Sequence, residues 1–146
     1  MEIRKITLPL DGVDWMQAEA LAEGYNFIDT LIDDWADGSN RFDGPGEILL
    51  ASFDRDVLIA VGGLNVDPFC NDATIGRIRR VYVRTPWRNQ GVGAALMMAL
   101  LEDARNNFKC VRLRAESADA ARLYERLGFI AIENTDATHI LRFEDR

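Results

Sequence analysis

The sequence predicts an α/β fold: a mixed, largely antiparallel central sheet flanked by helices, in the order β-α-α-β-β-β-α-β-α-β-β. Three observations carry this. Two apolar runs, "EILLASF" and "DVLIAVGGLNV", are separated only by the short turn "DRD", which makes them an antiparallel hairpin. From Gly91 to about Asn107, apolar residues recur at helical spacing, with Val92, Ala95, Leu96, Ala99 and Leu100 on one face. That helix lies between two strand-like segments, "TIGRIRRVYV" and "CVRLRA", and the chain closes on two more, "FIAIE" and "THILRFE", around the polar turn "NTDA".

The remaining elements follow in order. "EIRKITLP" is an opening strand ended by Pro9. Two short helices are expected over Asp14–Glu23 and Asn26–Asp37. The second carries Phe27, Leu31 and Trp35 at i, i+4, i+8, with Asp29, Asp33 and Asp37 on another face. "DGSNRFDGPGE" is too dense in turn formers to be anything but a loop, and "DPFCNDA" is another. Ser117 suits the N-cap of a helix that ends before Gly128, a residue type favoured just past a helix.

A chain of 146 residues has room for one real core, and residues 1–146 show no linker, repeat or low-complexity segment, so a single domain is expected. Hydrophobic residues at 48% and charged residues at 28% are ordinary for a soluble protein. The longest apolar run is too short to span a bilayer, and no signal-peptide pattern opens the chain. Cys70 and Cys110 lack CxxC spacing or a histidine cluster, so buried thiols in a cytoplasmic protein are expected, with no metal site and no membrane partner. The net charge of −7 argues against nucleic acid. Its distribution is uneven: residues 1–76 hold 4 Lys/Arg and 15 Asp/Glu, whereas residues 77–146 hold 13 and 9. The skew suits either a solvated surface or two halves facing ligands of opposite sign.

The stretch "RNQGVGAAL", Arg88 to Leu96, points to chemistry. The first amides of a helix lack intrahelical partners, and the helix dipole makes that end positive, so a phosphate placed there meets donors already aimed at it. Gly91 and Gly93 keep side chains out of the way, and the Arg88 guanidinium fork suits phosphate oxygens. The spacing R-x-x-G-x-G is neither the Walker pattern nor GxGxxG. Taken alone it fits a phosphate cradle or a tight turn.

The surroundings extend the pattern. "RRVYVRTPWRNQGVGAALMMALLEDAR" and, further on, "SADAARLYERLGF" resemble the two motifs of the GNAT superfamily of acyl-CoA N-acyltransferases, over residues 77 to 132. The first matches a strand ending in an aromatic-Val pair, a short loop and [QR]-x-x-G-x-[GA] opening a long helix. The second matches A-x-x-x-Y-x-x-x-G-F through Ala120, Tyr124, Gly128 and Phe129. The resemblance implies a GNAT-type fold and an N-acetyltransferase that uses acetyl-CoA as co-substrate for direct attack by a small-molecule or peptide amine. Nothing in the sequence speaks against a homodimer.

The implied positions are specific. Backbone groups of Val81, Tyr82 and Val83 would hold the pantetheine arm and the acyl carbonyl. Amides of Arg88, Asn89, Gln90, Gly91, Val92, Gly93 and Ala94 would cradle the pyrophosphate. Tyr124 would stand near the thioester sulfur, although it also lies on the apolar stripe Ala120, Leu123, Tyr124, Leu127 and reads equally as a core residue. Ser117 stands where the family often has asparagine and could both cap its helix and reach the cofactor. Arg77 stands where the family often has a glutamate that relays a proton, and an arginine cannot be a base. The base is then water, a backbone carbonyl or a carboxylate elsewhere such as Glu116, or the amine arrives neutral. That loss supports a rival reading, an acyl-CoA-binding module without turnover. Arg77, Arg79 and Arg80 also read as a plain strand edge, and His139 as structural. The aspartates at 29, 33 and 37 suggest a cationic acceptor, and Arg77 one bearing a carboxylate.

Overall fold

The computed structural model describes residues 1–144, which run β1 (Glu2–Lys5), α1 (Val13–Ala22), α2 (Phe27–Asp37), β2 (Ile48–Asp54), β3 (Val57–Val66), β4 (Ile75–Val83), α3 (Val92–Asn107), β5 (Cys110–Leu113), α4 (Ala118–Arg126), β6 (Ile130–Ala131) and β7 (His139–Arg142). This is the predicted order. The seven strands form one sheet, β1-β2-β3-β4-β5-β7-β6, antiparallel everywhere except between β4 and β5. The opening and closing strands are shorter than the sequence suggests, although Ile6 N–H still bonds the Leu49 carbonyl at 3.0 Å. The β2–β3 hairpin turns through Arg55 and Asp56, both at positive φ (50° and 67°), the backbone twist that two-residue hairpins favour.

Alternation along the strands sorts the core into two layers. Leu50, Ile59 and Leu64 face α3 with its Leu96, Met97 and Leu100. Leu49, Ala51, Leu58 and Val61 face α1 and α2, where Met16, Ile28 and Leu31 are buried. The glycine pair in β3 marks where both layers press closest. A Cβ on Gly62 would sit 2.9 Å from Leu100 Cδ1, and one on Gly63 would sit 2.2 Å from Phe42 Cε1.

Two irregularities shape the site. The parallel β4–β5 ladder spans only Ile75↔Cys110, Gly76↔Val111 and Arg77↔Arg112. Beyond it β5 stays with β7 while β4 runs on to Val83, so the sheet splits and a cleft opens between the strands. In β4, Arg79 pairs with Gly63 and Tyr82 with Val61, leaving Arg80 and Val81 opposite Gly62 alone. This is a β-bulge, with Arg80 at φ 60°. It resets the alternation: Ile78, Val81 and Val83 all pack toward α3, while Tyr82 packs toward α1 and α2.

Candidate active site

The loop from β4 to α3 is built to leave amides free. A 3-10 turn, Thr85–Trp87, uses the Arg88 N–H on the Thr85 carbonyl. Asn89 and Gly91 then take positive φ (61° and 82°), and α3 begins without a side-chain cap. The first bond of the new helix is from Ala95 N–H to Gly91 O, 3.0 Å. Among the described residues, the amides of Asn89, Gln90, Gly91, Val92, Gly93 and Ala94 find no acceptor. A Cβ on Gly91 would meet nothing within 4 Å, so the loop is open at that position. A cluster of unpaired amides at a helix N-terminus is suited to an anion.

Two glutamates one turn apart, Glu19 on α1 and Glu23 at its C-cap, brace this loop. Glu19 accepts from Thr85 N–H (2.6 Å), Thr85 Oγ1 (3.0 Å) and Tyr82 Oη (3.0 Å). Glu23 accepts from Tyr82 Oη and takes the Arg88 fork at 2.6 and 2.7 Å, while Arg88 Nε donates to the Val83 carbonyl at 2.8 Å. Burial works to raise the Glu19 pKa, but the bonds from Thr85, Tyr82 and Arg84 outweigh it and hold the carboxyl low. Arg88 is the main cause that holds Glu23 low, against burial. The same contacts, after burial, push the Tyr82 phenol far above its ordinary range. Sequence reasoning assigned the Arg88 guanidinium to phosphate; in the structure it is committed to Glu23, and the loop's free donors are backbone.

The cleft between β4 and β5 holds a cavity of about 180 Å³ lined by Phe27, Val81, Glu116, Tyr124 and the arginines 77, 79, 80 and 114. Tyr124 is 7% exposed and rests against Phe129, ring centroids 5.9 Å apart. Its hydroxyl has no hydrogen-bond partner among the described residues. Burial, and then the charge of Glu116, pushes its pKa up to about 12. On the β4 wall, Arg77 is fully engaged, 3.4 Å from Asp67 Oδ2, donating to the Asp136 carbonyl at 2.6 Å, and 4.8 Å from the Phe69 ring centroid. Asp67 also binds Arg112 of β5 at 2.9 Å. Burial, then the charges of Arg80 and Arg77, brings the Arg79 guanidinium down to about 10, still a cation at neutral pH.

The fold has known counterparts. A family model described as acetyltransferase (GNAT) family matches residues 12–129. The chain belongs to the GNAT family. Among solved structures, this GNAT chain is similar to a candidate acetyltransferase from Exiguobacterium sp. 255-15, at 27% identity and TM-score 0.83, over 97% of this chain and 94% of that one. An aminoglycoside 6'-N-acetyltransferase complexed with coenzyme A superposes at TM-score 0.70 and 16% identity, over 100% of this chain and 99% of that one. A ribosomal-protein-alanine N-acetyltransferase from Brucella melitensis does so at 0.69 and 17%, over 97% and 96%. At these lower identities the likeness is one of fold.

Within this GNAT fold the other singled-out residues fall as follows. Ser117 Oγ caps α4 by accepting from Ala120 N–H at 3.1 Å. His139 is buried, with Nδ1 2.7 Å from Thr138 Oγ1 and Nε2 2.8 Å from Glu125 Oε2, outside the cleft. Cys70 and Cys110 are free thiols, half-buried rather than fully buried. The aspartate stripe of α2 does not line the cleft: Asp29 bonds Gln17 of α1, and Asp33 and Asp37 face solvent. The acid of α2 that turns inward is Asp34, 3.9 Å from Arg80. Sequence reasoning missed Glu19, Glu23 and Asp67, because their importance lies in arginines far along the chain. No helix of the described residues is long and apolar enough to cross a membrane.

Proposed function

We propose that residues 1–146 are one catalytic domain that moves an acetyl group from acetyl-CoA to a primary amine by direct attack. The observation that carries this reading is the meeting of three features: the unpaired edge of β4 beyond Arg77, the free amides of 89–94, and the Tyr124 hydroxyl in the same cleft. The residues fit the cofactor, since Gly91 opens onto space and the amide cluster suits a pyrophosphate.

When bound, acetyl-CoA supplies an activated acyl carbon and a thiolate leaving group. Asn89 through Ala94 offer backbone donors to the pyrophosphate, Arg88 N–H being held by the Thr85 carbonyl, and Ser117 is the N-cap of α4, next in sequence to the cavity-lining Glu116. Val81, Tyr82 and Val83 present main-chain groups to the pantetheine and to the carbonyl oxygen as charge develops there, a preorganised arrangement that contributes several kcal/mol. Tyr124 donates its proton toward the departing sulfur. Glu116 is the carboxylate that shares the cavity with Tyr124, and it supports the role of base toward the incoming ammonium. Holding both substrates in one cleft supplies much of the remaining acceleration.

The test has two parts. Acetyl-CoA should raise the melting temperature, and a panel of amines should elicit release of coenzyme A thiol. No shift at millimolar acetyl-CoA sinks the reading. A shift without thiol release from any amine favours the rival binding module, whose support is Arg77 standing where a carboxylate relay would be.

A further inference from the structure

We propose that the acceptor amine carries a carboxylate, and that Arg79 and Arg80 receive it on the α2 side of the cleft. This rests on the transfer reading above and names the class of acceptor.

The β4 bulge is the first reason. Strict alternation would send Arg79 and Arg80 to opposite faces of the sheet. The extra residue keeps both on the side where α2 and Asp34 lie, next to the unpaired edge of β4. The second is their lack of partners. Arg77 is satisfied by Asp67 and the Asp136 carbonyl. Arg79 makes no ion pair or hydrogen bond among the described residues, and its Nε is buried without an acceptor. Arg80 Nε is in the same position, and its one ion pair, to Asp34, is long at 3.9 Å. Buried guanidinium donors left unmet are costly, and the fold tolerates two side by side. An incoming carboxylate would supply the missing acceptors, and its two oxygens match the guanidinium fork. Third, four arginines and Glu116 line the cavity; Asp67 stands against Arg77 and Asp34 lies at 3.9 Å from Arg80, and among the described residues Arg79 and Arg114 have no ion pair. A polycation would meet like charge there, and the exposed Asp33 and Asp37 of α2 are not in the cleft to offset it.

The experiment uses the whole chain with acetyl-CoA. Thiol release is measured on α-amino acids and dipeptides, each paired with its C-terminal carboxamide, with spermidine as the cationic comparator. A second readout is the further rise in melting temperature when each amine is added to protein saturated with coenzyme A. The carboxylate member of a productive pair should be preferred, and Arg79→Gln or Arg80→Gln should raise its KM about ten- to a hundredfold, the loss of one charge-assisted hydrogen bond. The carboxamide should be unaffected by either change, so the preference should collapse, and Arg79→Lys should restore it in part. The acetyl-CoA melting shift should be the same in all variants, which reports that they fold. Equal or better turnover of carboxamides or spermidine overturns the proposal and leaves the transfer reading standing. So does an unchanged KM in both Gln variants, or failure of every carboxylate-bearing amine both to react and to stabilise. Absence of the acetyl-CoA shift in wild type overturns the transfer reading and this proposal with it.

Discussion

At Tyr124 the core reading is borne out, and the acid role is the proposal that substitution tests. Its stripe spacing predicts a core residue, and its ring does pack in the core against Phe129. Its hydroxyl nevertheless ends in the cleft without a partner. Tyr124→Phe should therefore keep the fold and the acetyl-CoA affinity while lowering kcat by about ten- to a thousandfold, as for loss of one acid. With the pKa up at about 12, the phenol keeps its proton well past the ordinary tyrosine value near ~10. The kcat–pH profile of wild type should accordingly show no alkaline fall across that value, and a fall there would return the acid role to another group. Arg77 was less legible. A sequence says that position 77 is an arginine; that Asp67 and a carbonyl at 136 occupy it depends on a loop and a distant turn meeting at the end of the ladder.

At the scale of elements, the loop before α3 was legible because glycines, a helix start and an apolar stripe report locally. The two glycines do different work. Gly91 stands at φ 82°, where any side chain is strained by about 1–2 kcal/mol, and it faces the space where the pyrophosphate would lie. Gly93 is helical, and its added Cβ would make ordinary contacts, 3.4 Å to Leu123 and 3.5 Å to Val83. Gly91→Val should abolish the acetyl-CoA melting shift, whereas Gly93→Ala should keep it and stabilise the free protein by up to ~1 kcal/mol. Calorimetry with and without ligand checks both. The brace from α1 adds a pH dependence. Folded Glu19 and Glu23 lie below their ordinary values. Their stabilisation is therefore complete above the unfolded value near ~4.3 and is lost as pH falls through the lowered folded ones. Glu23→Gln should cost about 1–3 kcal/mol at neutral pH, as for a hydrogen bond to a charged group, and should flatten the acid limb of a melting-temperature profile. The bulge in β4 becomes legible only once the packing faces are known. Ile78, Val81 and Val83 cannot share a face at period two unless one residue is extra.

Over the whole molecule, the uneven charge finds an internal explanation. Asp34, Glu19, Glu23 and Asp67 come from the acidic half, and Arg80, Arg84, Arg88, Arg77 and Arg112, which they pair, come from the basic half. Composition could report the imbalance but not its pairing, because each pair joins elements distant in sequence. The fold order was readable from periodicity and turns. The cleft was not, since nothing local says that a nine-residue strand pairs with β5 for three residues and then keeps only β3 as a neighbour. Asp67 bolts that junction, binding both Arg77 and Arg112, the last pair of the β4–β5 ladder. Asp67→Asn should cost about 3–5 kcal/mol in urea unfolding, because two buried cations lose their counter-charge. The junction is also a fulcrum. From Arg77 to Val83 the open edge of β4 is roughly 20 Å long at ~3.3 Å per residue, and β4 stays paired with β3 along it, so a rotation of about 5° of that half of the sheet about Asp67 would move the strand's tip by about 2 Å. The width of the gap that the proposed transfer would use is therefore gauged from its closed end, by a carboxylate that does not line the cavity.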